Sequence, residues 1–236
     1  MYITLIIVGL IAGTLSGSIG FGGGMILLPV ITYFYGVEIA VPVSTIAQLM
    51  SNLSRAGMGW REIHWKQVAW FLLPALPFTA LGAMGFSLVD KKLMTRLLCI
   101  FLIVFSVMKL RGKMRLPKNK TTMIAGGGLT GFINGMLGIS GPLSSAVFLT
   151  LNLSPVAYIV SEAAAAAFMH IVKAFTYGKF DLMNWHIFIN GFFIGCAMMI
   201  GNFIALRMIR YAHKKTYQRV VAGMMIAVSL WLIFNN

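Results

Sequence analysis

Residues 17–29 read G-S-I-G-F-G-G-G-M-I-L-L-P, a glycine-broken stretch between two apolar runs, Ile3 to Leu15 and Met25 to Phe34. A glycine inside a helix costs about 1 kcal/mol against alanine, so Gly20, Gly22, Gly23 and Gly24 mark a place where helix gives way to irregular backbone. The flanks put that break in hydrocarbon, where unpaired amides persist only if buried in protein or facing a cavity. Helix ends with free N–H groups attract anions. One reading of Gly20 to Gly24 is therefore an anion site. The other is close helix packing, which suits Gly9, Gly13 and Gly17 at their spacing of four. Three adjacent glycines exceed what a packing seam needs, and this favours the site.

The chain around this stretch has 236 residues, 59% of them hydrophobic and only five acidic, with a mean hydropathy of +0.87. That composition excludes a soluble globular domain and predicts an all-α polytopic protein of the lipid bilayer. A net charge of +14 would suggest nucleic acid in a soluble protein. Here the bases fall mainly in short connections between apolar runs, as in cytoplasmic loops, and no nucleic-acid partner is expected. The run Tyr2 to Ile11 has no Lys or Arg before it and no small-residue cleavage site after it, so it is expected to stay in the mature protein. Cys99 and Cys196 stand alone in apolar segments and read as structural thiols; no metal or cofactor is expected.

Sliding the sequence by 118 places Gly9, Gly13, Gly17, Gly20 and Gly23 on Gly127, Gly131, Gly135, Gly138 and Gly141. The chain is thus read as duplicated. The second break is looser, with Ser140 and Pro142 opposite Gly22 and Gly24, though Pro142 still interrupts regular helix. Three further apolar segments follow in each half, at 40–57, 68–88 and 93–110 and then at 156–177, 187–206 and 220–234. The expected division is a first repeat over 1–110, a basic linker over 111–122 and a second repeat over 123–236. As one helix, 2–35 would be about 50 Å long against a hydrocarbon core of about 30 Å. Two pieces fit better, but length alone leaves one crossing and a hairpin both open.

Charge arbitrates the topology. With an odd number of crossings per half, thirteen bases fall on one face, among them Arg61, Lys66 and the linker cluster, and four on the other, Lys91, Lys92, Arg96 and Lys179. Four crossings per half would give nine against eight. The positive-inside rule favours the odd count, hence halves of opposite orientation.

After the first break, Ser44, Gln48, Ser51, Asn52 and Arg55 fall on one helical face, which would be costly against lipid and must face protein or a water-filled path. The same shift pairs Ser44 with Glu162, Asn52 with His170 and Arg55 with Lys173. Two readings stand for Arg55 and Lys173: site cations, or helix-end residues that snorkel to the interface. His170 reads as a buried structural histidine or a proton carrier. Glu162, the acid amid alanines, reads as a proton-coupling group or a gating partner of Lys173 or Arg55. Ser44, Thr45, Gln48, Asn52, Asn134, Ser140 and Ser161 supply the several neutral donors that a small oxyanion wants, and a carboxylate would fit almost as well. Trp60, Trp65, Trp70 and Trp185 read as interfacial anchors.

At G-F-G-G-G-M-I-L-L-P and its copy G-F-I-N-G-M-L-G-I-S-G-P, the sequence resembles the sulfite exporter TauE/SafE family, also called the toluenesulfonate uptake permease family. The likeness covers essentially the whole chain. It implies a bacterial inner-membrane secondary transporter of sulfite, sulfonates or related small sulfur-containing anions, without nucleotide hydrolysis. Matching positions are Gly22, Gly23, Gly24 and Pro29 in the first motif and Gly131, Gly135, Gly138 and Pro142 in the second. The expected substrate site comprises Gly20, Gly22, Gly23, Gly24, Ser44, Thr45, Gln48, Asn52, Arg55, Asn134, Gly138, Ser140, Gly141, Ser161 and Lys173, with Glu162 and His170 as proton-coupling or gating groups. The alternatives are an intramembrane enzyme with Glu162 and His170 as acid and base, a channel, or a carrier of another small organic anion. Oligomeric state is open, a homo-oligomer included.

Overall fold

The computed structural model describes residues 2–110 and 117–208. Its regular elements are all helical: α1 (Tyr2–Ile19), α2 (Gly23–Tyr35), α3 (Val37–Met58), α4 (Trp65–Leu88), α5 (Lys91–Leu110), α6 (Lys120–Leu137), α7 (Gly141–Leu149), α8 (Pro155–Lys179) and α9 (Trp185–Met208), with a 3-10 turn at Trp60–Glu62. The expected segment at 220–234, the basic cluster from Arg210 to Arg219 and linker positions 111–116 lie outside the described residues. α4, α8 and residues 185–205 of α9 are long and apolar enough to cross a membrane.

Local chemistry sets the helix ends. Asp90 accepts from the amides of Lys92 and Leu93 at 3.0 and 3.1 Å at the start of α5, and Asn119 accepts from Thr122 N at 2.7 Å at the start of α6. Ser154 caps α8 ahead of Pro155, a residue suited to the first helical position. Gly22 and Gly138 close the breaks at φ 108° and 79°, backbone that side chains with a Cβ rarely adopt.

At the first break the chain reverses. A Cβ on Gly23 would lie 3.2 Å from Ser16 Cβ and 3.3 Å from the Ala12 carbonyl oxygen, so α2 starts beside the last turns of α1. With 13 and 9 residues, α2 and α7 are about 20 and 14 Å long and neither reaches across about 30 Å of hydrocarbon. The glycine-broken stretch is hairpin-like, the second of the two arrangements that its length left open.

The spaced glycines form two helix seams. In α1, Cβ atoms on Gly9, Gly13 and Gly17 would meet Ile194, Met198 and Asn202 of α9; in α6, those on Gly127, Gly131 and Gly135 would meet Phe71, Ala75 and Thr79 of α4. The contacted positions, 194 against 71, 198 against 75 and 202 against 79, are each 123 apart. Small residues let the backbones approach, as membrane helix pairs require. Each first helix thus packs on a late helix of the other half, and α3 and α8 pack on one another and on α9 and α4 in turn.

The bases sort to the two ends of α4. Lys66 and Lys120 each lie 5.3 Å from the Trp70 ring, whereas Lys91 lies 4.4 Å from Phe86, whose ring packs tilted against that of Tyr177 at 5.4 Å. Outward faces carry exposed Ile3, Leu73, Leu88, Phe175 and Phe193, the surface that lipid covers. Trp60, Trp65 and Trp185 are exposed near helix ends, and both cysteines are free thiols.

Candidate functional site

The two breaks meet. A Cβ on Gly141 would lie 3.3 Å from Phe21 Cβ and 3.5 Å from Gly22 N, which brings the N-terminus of α7 against that of α2. In α2 the first N–H with a helical partner is that of Ile26, bonded to Gly22 O. The amides of Gly23, Gly24 and Met25 therefore belong to the unpaired first turn of the helix. Two helix N-termini, each carrying about half a positive charge, point into one space.

That space is a cavity of about 20 Å³, counted for the centre of a water-sized sphere. It is bounded by Gly22, Gly23 and Gly24 of the first break, Ser140 and Gly141 of the second, and the side chains of Gln48, Asn52, Arg55 and Glu162. About 10–15 Å³ by this measure holds one water, so an oxyanion of four or more heavy atoms requires a side chain to move.

Arg55 organises the site. Its side chain is 4% exposed, and its Nη1 donates to the carbonyl oxygens of Gly20 at 2.6 Å and Ser16 at 3.4 Å, the C-terminal end of α1. A cation there meets the negative end of the helix dipole. Nη2 donates to Asn52 Oδ1 and to Glu162 Oε2, the latter at 3.4 Å, while Nε has no partner. Glu162 is 1% exposed and accepts a 2.6 Å bond from Ser144 Oγ through its other oxygen. The sequence shows five alanines after Glu162 and no obvious partner; the fold supplies a guanidinium and a hydroxyl from other helices. The cation that pairs with Glu162 is Arg55, not Lys173.

Of the expected residues, Gly22, Gly23, Gly24, Gln48, Asn52, Arg55, Ser140, Gly141 and Glu162 line this cavity. The others lie around it. Ser44 and Thr45 are buried and turn back to bond Val41 O at 3.0 and 2.7 Å. Gly20 and Gly138 contribute carbonyls, the second accepting from Gln48 Nε2 at 3.3 Å. Ser161 Oγ accepts from His64 N at 3.0 Å, tying α8 to the start of α4. Lys173 donates to Asn134 O and Oδ1 at 3.4 and 3.2 Å, and both residues are fully buried. Neither Arg55 nor Lys173 reaches the surface, so snorkelling does not describe them. His170 is buried with both ring nitrogens unpartnered. Eight residues along α8 separate it from Glu162, about 12 Å of rise, too far for an acid and a base to share one reacting atom.

Sequence reasoning missed Ser16, Phe21, Met25, Ile139, Ala166 and Met198 in the lining, and Ser144 behind Glu162. Ser51 stands in the polar stripe but was not taken for the site. It lines the cavity and accepts from Asn202 Nδ2 at 3.1 Å.

A family model for the sulfite exporter TauE/SafE family matches residues 5–232. A probable membrane transporter protein of Xylella fastidiosa strain Temecula1 is 25% identical over 96% of this chain and 92% of its own length. A probable membrane transporter protein of Methanocaldococcus jannaschii is 28% identical over 64% of the chain and 62% of its own length. A third, from Bacillus subtilis, is 27% identical over 50% and 48%. No solved structure matches the chain.

Proposed function

From the premise that this chain belongs to the sulfite exporter TauE/SafE family of membrane transporters, we propose that it is a secondary transporter of small sulfur-containing anions, such as sulfite or an organosulfonate, in a bacterial plasma membrane. The observation that carries the reading is Arg55, buried beneath two facing helix N-termini with Nε unpartnered and with one carboxylate as its counter-charge. An oxyanion suits a guanidinium fork and backbone amides better than a lone ammonium. Glu162 holds the place of that anion in the closed site. A proton arriving on Glu162 releases Arg55 to the substrate, and this couples the two. The halves are inverted repeats whose rocking exposes the site alternately. In support of that, the two seams repeat at constant offset and the bases sort to opposite ends of α4.

The test is counterflow into proteoliposomes, with sulfite, sulfate, thiosulfate, a sulfonate and a carboxylate offered in turn, with and without an imposed proton gradient. Saturable counterflow of a sulfur oxyanion is expected, and accumulation should rise with the gradient. Glu162→Gln should keep counterflow and lose the gradient-driven part. Unchanged accumulation in that variant would remove Glu162 from coupling, and counterflow of the carboxylate alone would move the substrate class.

A further inference from the structure

Beyond the cavity at Arg55, a second set of buried polar groups lies on α6 and α8. Lys173 is 0% exposed and spends two donor contacts on Asn134 O and Oδ1. All five acids of the chain lie within the described residues, and the ion pair found there joins Arg55 to Glu162. Lys173 is therefore a buried amine without a carboxylate, and keeping it charged is costly unless an anion is supplied. One turn earlier on the same face of α8, His170 leaves both ring nitrogens unpartnered; on α6, Asn134 Nδ2 and, one turn earlier, Thr130 Oγ1 are likewise buried and unpartnered. Buried groups left this way call for an explanation, an unplaced ion among the usual ones. The set is rich in donors: an ammonium, an amide, a hydroxyl and whichever ring nitrogen carries the proton. What it lacks is a negative charge: the ion pair among the described residues takes Glu162 to Arg55.

Three of the four residues match polar positions in the first half. Arg55 and Lys173, Asn52 and His170, and Ser16 and Asn134 are each 118 apart, and each cation bonds the carbonyl of its matching residue, Ser16 or Asn134. The halves differ at two positions: the counterpart of Thr130 is Ala12, and that of Glu162 is Ser44, so the second set has no built-in carboxylate. Along α8, His170 stands between Glu162, the partner of Arg55, and Lys173.

We propose that Lys173, His170, Asn134 and Thr130 form a second anion station, entered by the same small oxyanion after it leaves Arg55. The proposal rests on the transporter reading. In the alternate state of the halves, the station opens as the Arg55 cavity closes, and His170 hands the anion across. No carboxylate competes there, so the step needs no proton.

The test separates binding from movement in the purified full chain. Sulfite binding is measured by calorimetry and sulfite counterflow in proteoliposomes, for wild type, Arg55→Ala, Lys173→Gln and His170→Leu. The Lys173 and His170 variants should bind within about threefold of wild type and lose at least tenfold in counterflow, while Arg55→Ala loses binding. Should Lys173→Gln not assemble, His170→Leu carries the test, since its ring makes no hydrogen bond whose loss would unfold the chain. Wild-type counterflow in His170→Leu or in folded Lys173→Gln overturns the second station. So does loss of binding as complete as in Arg55→Ala, which would mean a single shared site. A wild type that neither binds nor moves sulfite fails the transporter reading itself, an outcome distinct from these.

Discussion

Arg55 and Glu162 hold one another in place, and the geometry says how much each depends on the other. Removing Arg55 leaves Glu162 buried with only Ser144, and breaking a buried pair from one side costs about 3–5 kcal/mol. Arg55→Ala should therefore lower thermal stability in detergent markedly, and Arg55→Met with Glu162→Leu should recover most of the loss. A double variant no more stable than Arg55→Ala would show that the pair is not where the cost lies. At this scale the sequence is informative where a polar residue interrupts an apolar run: Gln48, Asn52, Arg55 and Glu162 stand out for that reason. Ser144 does not. Its match at the 118 shift is Ile26, so the repeat points away from it, and only the approach of α7 to α8 reveals the bond to Glu162.

Among the elements, the glycine seams decide how closely the two halves interlock. A side chain on Gly131 would collide with the Ala75 backbone, and one on Gly13 with that of Met198. Gly131→Leu should separate α4 from α6 and abolish the peak of folded protein in size exclusion. Gly57 and Gly85 offer the control, since a Cβ on either meets nothing within 4 Å. Gly57→Ala should raise stability by about 0.5–1 kcal/mol through helix propensity; a loss there would mean that unseen packing holds the site. The spacing of Gly9, Gly13 and Gly17 is legible as a seam from sequence, but the partner is not. The glycines repeat at 118 while the positions they meet repeat at 123, so a single sliding offset finds one side of the contact and misses the other. The hairpin at the first break is half legible, because length demands two pieces and only the contact of Gly23 with Ala12 shows that the second turns back.

At the scale of the whole molecule, the bases predict a topology that labelling can read. Single cysteines at Arg61, Lys66 and Lys118 should react with an impermeant maleimide from the cytoplasmic side, and those at Lys92 and Lys179 from the opposite side. Labelling of Lys66→Cys and Lys179→Cys from one side would rule out inverted halves. The duplication itself is legible because five glycines keep an irregular spacing; that the breaks meet is not, since nothing in a single chain states which helices are neighbours. On the proposed function, the meeting of Gly22 and Gly141 around Arg55 is what makes a carrier of this fold, and filling that space tests it most directly. Gly23→Leu puts a branched side chain against Ser16, Ala12 and Met198 and into a cavity of about 20 Å³. Sulfite counterflow in folded Gly23→Leu should fall at least tenfold while Gly57→Ala keeps the wild-type rate; counterflow at the wild-type rate in folded Gly23→Leu would mean that the anion does not pass between the breaks.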